Sequence, residues 1–250
     1  MIISVINRSE GGLADGDLQR AIRAVNRQIA EDFCPYWGFG AQLRLEGKTG
    51  RKRAAIDPAD MRGDAILYVR ERVKRSSDDG YHDRNFAGIP YGFVYLELSR
   101  ALKEEWTVTL SHEALELVAD PEANLLVQGP HPAARRTVFH WFEMCDAVQD
   151  ESYLLDGVRV SNFVLPLYFT SSAERGGRND FLGTIANGKT LRSFSVNPGG
   201  YVGFFDPEAN DDVTWSADGD PRAFRRLRVK LQLGTGRGNL RRRRSKGVQA

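Results

Sequence analysis

The sequence predicts an α+β protein, with a mixed β-sheet and its helices in roughly the first 150 residues and a β-rich part after them. Three observations carry this. Apolar residues recur at intervals of three and four over residues 15–32 and 103–120, the helical period. Short apolar or alternating runs at 2–6, 41–45, 65–69 and 91–98 read as strands between those helices. Beyond Tyr153 the chain breaks into short aromatic-bearing runs separated by Gly, Asn and Asp.

Taken in order, residues 2–6 form a short buried strand, and Gly11 and Gly12 turn the chain. Asp15 or Asp17 caps a helix that runs to about Asp32, with Leu18, Ile22, Val25 and Ile29 on one face. Residues 41–45 alternate as a strand, 48–53 are a basic loop, 65–69 are a second apolar strand, and 74–88 form a polar, Gly-bearing connection. Residues 91–98 are an aromatic-rich strand. A helix follows from about 103–106 to Asp120, where Pro121 disfavours helical geometry in the residue before it. After a loop rich in Pro and Gly, a second helix is expected over 132–148, because Val138, Phe142, Cys145 and Val148 recur helically and His140, Glu143 and Asp146 repeat at every third position. Asp156-Gly157 between apolar runs signals a hairpin over 154–160, and 161–169 is strongly apolar. Residues 171–189 are a polar loop, and 193–196, 201–205 and 213–216 are small strands. The expected division is a first domain at 1–170, a β-rich extension at 171–233 and a basic, disordered tail at 234–250.

Composition excludes several classes. With 250 residues, 41% hydrophobic and 27% charged, the chain can bury one large core or two small ones. Its two cysteines, Cys34 and Cys145, do not make a disulfide scaffold or a cysteine-rich metal site. No apolar run reaches the length of a bilayer span, and no secretory leader is evident, so the expectation is a cytoplasmic protein with no membrane partner. No repeat or phosphate-cradling glycine motif occurs. The net charge of +2 is unevenly spread: residues 221–250 hold eleven Lys and Arg and no acid, which leaves the preceding residues at −9.

The helix ending at Asp120 carries the chemistry. His112, Glu113, Glu116 and Asp120 fall within an arc of about 100°, while Leu110, Ala114, Leu117 and Val118 point the other way. His112 and Glu116, four apart, meet on one side of the helix, the spacing that offers two ligands to one metal ion. Glu113 lies beside them as a candidate base. The expected second helix supplies the remaining ligand: Glu143 or Asp146, with Asp120 and His140 as rivals. His82 and His131 fall in loops and read as surface residues.

This H-E-x-x-E stretch, His112 to Glu116, resembles the H-E-x-x-H motif of the zincin metallopeptidases, with Glu116 in place of the second histidine. The resemblance implies a zincin-like mixed sheet ahead of an active-site helix. It also implies zinc as the ion, with Glu113 as general base. A carboxylate is a harder ligand than imidazole and makes bound water less acidic, so manganese or another divalent ion is also accommodated. In zincins an edge strand of the sheet binds substrate backbone by strand addition, which assigns that role to residues 91–98 and substrate contact to Tyr91, Gly92 and Phe93. In the gluzincin branch a downstream helix provides a ligand Glu, followed by an Asp that orients a ligand histidine. Glu143 and Asp146 look similar, one residue closer together. Residues 161–169 lack the methionine of the metzincin turn, and Glu122 stands where that branch has a histidine. The implied function is a metal-dependent hydrolase acting on a peptide or protein, with Tyr153 or Tyr168 stabilising the oxyanion. The alternative is a catalytically inactive zincin-like binding or assembly module, for example in a phage-related structure. Arg241, Arg242, Arg243 and Arg244 suit a non-specific acidic partner or nucleic acid.

Overall fold

The computed structural model describes residues 1–46, 63–73, 83–84, 89–170, 176–183, 185–186 and 189–233. The basic loop at 48–53, most of the 74–88 connection including His82, and the tail at 234–250 with Arg241, Arg242, Arg243 and Arg244 lie outside those residues. The architecture is α+β, and the chain divides into two compact units: Met1–Glu122 with Tyr153–Val160, and Ala123–Ser152 with Ser161–Ala250.

The first unit is built on a five-stranded sheet. β1 (Ile2–Arg8) is flanked by β2 (Gln42–Glu46) and β3 (Ala65–Arg70), and β3 by β5 (Pro90–Tyr95), all parallel; the short β4 (Asp83–Arg84) pairs antiparallel with β5. Parallel strands need crossover connections. α1 (Asp15–Arg27) provides the first of these, between β1 and β2. Ile3, Val5, Leu43, Leu67 and Val69 are almost wholly buried and share one face of the sheet, and Ser4, Ile6 and Ile66 are buried on the other. The helix begins after Ala14, not on an aspartate cap; Asp15 lies in its first turn and accepts a hydrogen bond from Asn7 Nδ2 at 2.6 Å. Beyond Arg27 the helix widens into a π-helical stretch, Gln28–Phe33, and closes with α2 (Cys34–Trp37), which stops at Gly38 in the left-handed region (φ 74°).

The expected strand at 91–98 ends early. Tyr95 is its last residue, and Leu96, Glu97 and Leu98 open α3 (Leu96–Leu102). Nor is it the edge of the sheet, since β4 lies outside it, pairing Asp83 with Tyr91 and Arg84 with Pro90. α4 (Trp106–Ala119) follows and packs on β5, β3 and α1. A hairpin of β8 (Ser152–Leu155) and β9 (Val158–Ser161) turns at Asp156 and Gly157, both at positive φ (51° and 73°), as a two-residue turn between right-twisted strands requires. Arg27 Nη1 donates to Asp156 at 2.5 Å, tying that turn to α1.

The second unit corrects the expected second helix. Residues 132–148 contain no α-helix: β6 (Leu126–Pro130) and β7 (Thr137–Trp141) form an antiparallel pair, and only a single 3₁₀ turn, Asp146–Val148, follows. Thr137, Val138, Phe139, His140 and Trp141 are β-branched or aromatic, with Val138 and His140 buried between more exposed neighbours, the period of a strand. The short β10 (Ile185–Ala186) and β11 (Lys189–Thr190) pair antiparallel with each other, β12 (Val202–Asp206) pairs Phe204 and Phe205 with His140 and Phe139, and β13 (Asp211–Trp215) completes the sheet of β6 and β7. The expected boundary at 170 therefore cuts through one sheet, because residues on both sides of it are strands of the same unit. Residues 193–196 form no strand. The β-rich extension ends instead in a helix, α5 (Pro221–Leu233). None of the described helices is long and apolar enough to cross a membrane.

Candidate metal centre

α4 forms because Leu, Ala and Glu dominate it and Pro121 ends it. Its environment differs from the half-exposed helix that amphipathic spacing suggests. Every residue from Leu110 to Ala119 is buried, so the polar stripe is enclosed along with the apolar one. Ser111, His112, Glu113, Glu116 and Asp120 are 0, 2, 3, 2 and 7% exposed. The structure thus buries all four residues singled out in the sequence and brings His112 and Glu116 together.

His112 Nε2 lies 3.1 Å from Glu116 Oε1. A tetrahedral ion with bonds of about 2.0–2.2 Å sets neighbouring ligand atoms about 3.3–3.6 Å apart, a few tenths of an ångström wider than that spacing. One imidazole nitrogen and one carboxylate oxygen are a donor pair suited to zinc or manganese, so the residues present fit a divalent cation. Glu113 follows His112 directly and sits about 60° around the helix from Glu116. Asp120 closes the helix as its C-cap, with its N–H bonded to the Glu116 carbonyl at 2.8 Å.

α4 is held by a buried polar chain that the sequence reading missed. Ser111 Oγ donates to Gln28 Oε1 at 2.7 Å, Gln28 Nε2 donates to Tyr153 Oη at 3.1 Å, and Tyr153 donates to Asp32 Oδ2 at 2.6 Å. The signal available in the sequence was Gln28 itself, a polar residue three positions after Val25 on the apolar face of its helix. The π-helical stretch that follows could not be read from spacing. This chain also corrects the expected oxyanion role of Tyr153, whose hydroxyl is committed to Asp32. Tyr168 is likewise structural: burial, with the Asp146 carboxylate adding to it, holds its hydroxyl well above the usual range, and it donates to the Ser195 carbonyl at 2.8 Å.

Tyr91 and Phe93 contribute to a ring cluster with Tyr68, at centroid distances of 6.4 and 5.5 Å, and the Arg70 guanidinium stands 4.4 Å over Phe93; Gly92 lies between them, paired with Leu67. In the second unit, Glu143 is half-buried in the bend after β7, with its N–H bonded to the Trp141 carbonyl. Asp146 is buried in the 3₁₀ turn. His140, a rival ligand in the sequence, is a packing residue: its Nε2 donates to the Pro130 carbonyl at 2.9 Å and its ring lies 4.8 Å from Phe194 and 5.6 Å from Phe204. His131, expected in a plain surface loop, is half-buried against Phe204, and its Nδ1 accepts from the Ala133 N–H. Set against family models, curated proteins and solved structures, the chain matches none of them.

Proposed function

We propose that the protein is a metal-dependent hydrolase whose substrate is a peptide or protein. One observation carries the reading: the convergence of His112 Nε2 and Glu116 Oε1 within 3.1 Å in a buried setting, with Glu113 next to them on the same helix. His112 and Glu116 hold a divalent cation, zinc or manganese. Such an ion, when bound, polarises a scissile carbonyl and lowers the pKa of water. Glu113 takes the proton of the attacking water and returns it to the leaving amine, a role that depends on its staying off the ion. A mixed sheet ahead of the helix, with α3 between them, supports the resemblance to zincins, and Gln28 holds α4 through Ser111.

The experiment pairs metal content with cleavage of a denatured protein substrate. His112→Ala and Glu116→Ala should both lose the ion. Glu113→Gln should keep it and lose about 10²-fold or more in rate. Metal-free wild-type protein with an intact fold, or Glu113→Gln at full rate, overturns the reading. A second reading, a binding module without turnover, is favoured by the burial of His112, Glu113 and Glu116 at 3% exposure or less and by the engagement of Tyr153 and Tyr168 elsewhere. Retained metal with no cleavage of any substrate would select it.

A further inference from the structure

We propose that the outer face of α5 docks on an anionic membrane surface. The helix is fixed from its inner side. Asp220 caps it, accepting from the Arg222 and Ala223 N–H groups at 2.9 and 3.3 Å. Ala223 and Arg226 are buried, Arg226 donates to Asp150 at 2.6 Å, and Lys230 Nζ donates to Tyr201 Oη at 2.6 Å. What faces outward is therefore held in place. Phe224 and Leu231, two turns apart on one side, are 66% and 62% exposed, with Leu227 half-buried beside them and Arg225 and Arg228 exposed along the same flank.

Charge selects the occupant. Residues 221–250 hold eleven Lys and Arg and no Asp or Glu; Arg222 and Arg226 pair with Asp150, and six of the eleven follow α5 in residues 234–250. A second copy joined face to face through α5 would set cations against cations. A nucleic acid would satisfy the arginines and leave Phe224 and Leu231 without an apolar contact. An anionic bilayer answers both, because apolar side chains enter the acyl boundary while arginine stems extend to the phosphates. This departs from the expectation of no membrane partner, which rested on the lack of a spanning segment; a surface helix needs none.

The test is co-sedimentation of the full chain with phosphatidylcholine vesicles, with and without about 30% phosphatidylserine, at near-physiological salt. Binding to the anionic vesicles only is expected. The double variant Phe224→Ser/Leu231→Ser should weaken it about tenfold or more. Arg225→Glu/Arg228→Glu should weaken it by a similar factor. All four residues are exposed, and an unchanged circular dichroism spectrum shows that each variant is folded. No retention on anionic vesicles overturns the proposal, as does retention indifferent to the Phe224/Leu231 change. Tighter binding to a short DNA duplex than to vesicles, unaffected by that change, also overturns it and assigns the helix to nucleic acid.

Discussion

Residues 106–119 and 132–148 look alike on paper, each with polar residues three or four apart among apolar ones, yet the first is α4 and the second contributes β7 and a bend. The difference lies in composition and neighbours. α4 opens on an aromatic and three β-branched residues but from Leu110 onward is rich in leucine, alanine and glutamate, and it has no proline before its end. The second stretch places Pro132 early and a β-branched and aromatic run at its centre, and two flanking strands, β6 and β12, supply hydrogen bonds on both sides. A spacing of three or four is necessary for a helical face but does not specify one. Where a sheet offers pairing on both edges, aromatic and β-branched residues take it.

The comparison can be pressed from either side. The largest effect is expected in α4, where Leu115 is fully buried. Leu115→Ala should cost about 2–5 kcal/mol in urea denaturation through the cavity it leaves. On the side of β7, Gly129 in the paired strand β6 has room for no side chain, since a Cβ there would lie 2.5 Å from the Phe194 ring. Gly129→Ala should cost about 1–3 kcal/mol by overpacking, and Phe194→Leu in the same chain should relieve part of it. Ser111→Ala, which removes the bond to Gln28 and leaves the helix sequence otherwise intact, should cost about 1–2 kcal/mol and reduce metal retention along with stability.

The smallest effect is a pH dependence that separates the two stretches. Burial, reinforced by the charge of His131, holds the His140 imidazole below its usual range despite the hydrogen bond to Pro130. Protonation is thus harder in the folded chain than in the unfolded one. The contribution of His140 to stability is complete above its unfolded value of about 6.5 and is lost as pH falls below it, down through the lower folded value. His140→Gln should flatten that slope in denaturation midpoints measured between about pH 7 and 5. Asp220 acts in the same direction at lower pH. Burial pushes its carboxyl up, but the Gly199, Arg222 and Ala223 N–H groups and the Arg222 charge outweigh that and leave it below the usual carboxylate range. Its stabilisation is present above about pH 4 and is lost as pH falls further, and Asp220→Ala should cost about 1 kcal/mol as a lost helix cap.

The candidate site was legible to the extent that it lies on one helix. His112, Glu113 and Glu116 share one side of α4 because helix geometry relates them through a fixed rotation per residue, which sequence spacing encodes directly, whereas Asp120 caps the helix end with non-helical backbone. Tyr153, Tyr168 and His140 were misassigned for the opposite reason. Each is a group of suitable chemistry whose hydrogen bond to Asp32, Ser195 or Pro130 joins it to a residue from 10 to 121 positions away. No local pattern records such a partner.

By itself the sequence determined the α+β class, the strands at the start of the chain, the extent of α4 and the Asp156-Gly157 turn, since local periodicity and backbone preference dictate each of these. Tertiary structure alone decided that β4 and not β5 ends the sheet, that 137–141 is a strand and that the polar stripe of α4 is enclosed. Strand order and burial arise from pairing and packing between segments far apart in the chain, and the free energy of those contacts exceeds the few tenths of a kcal/mol per residue by which local propensities differ.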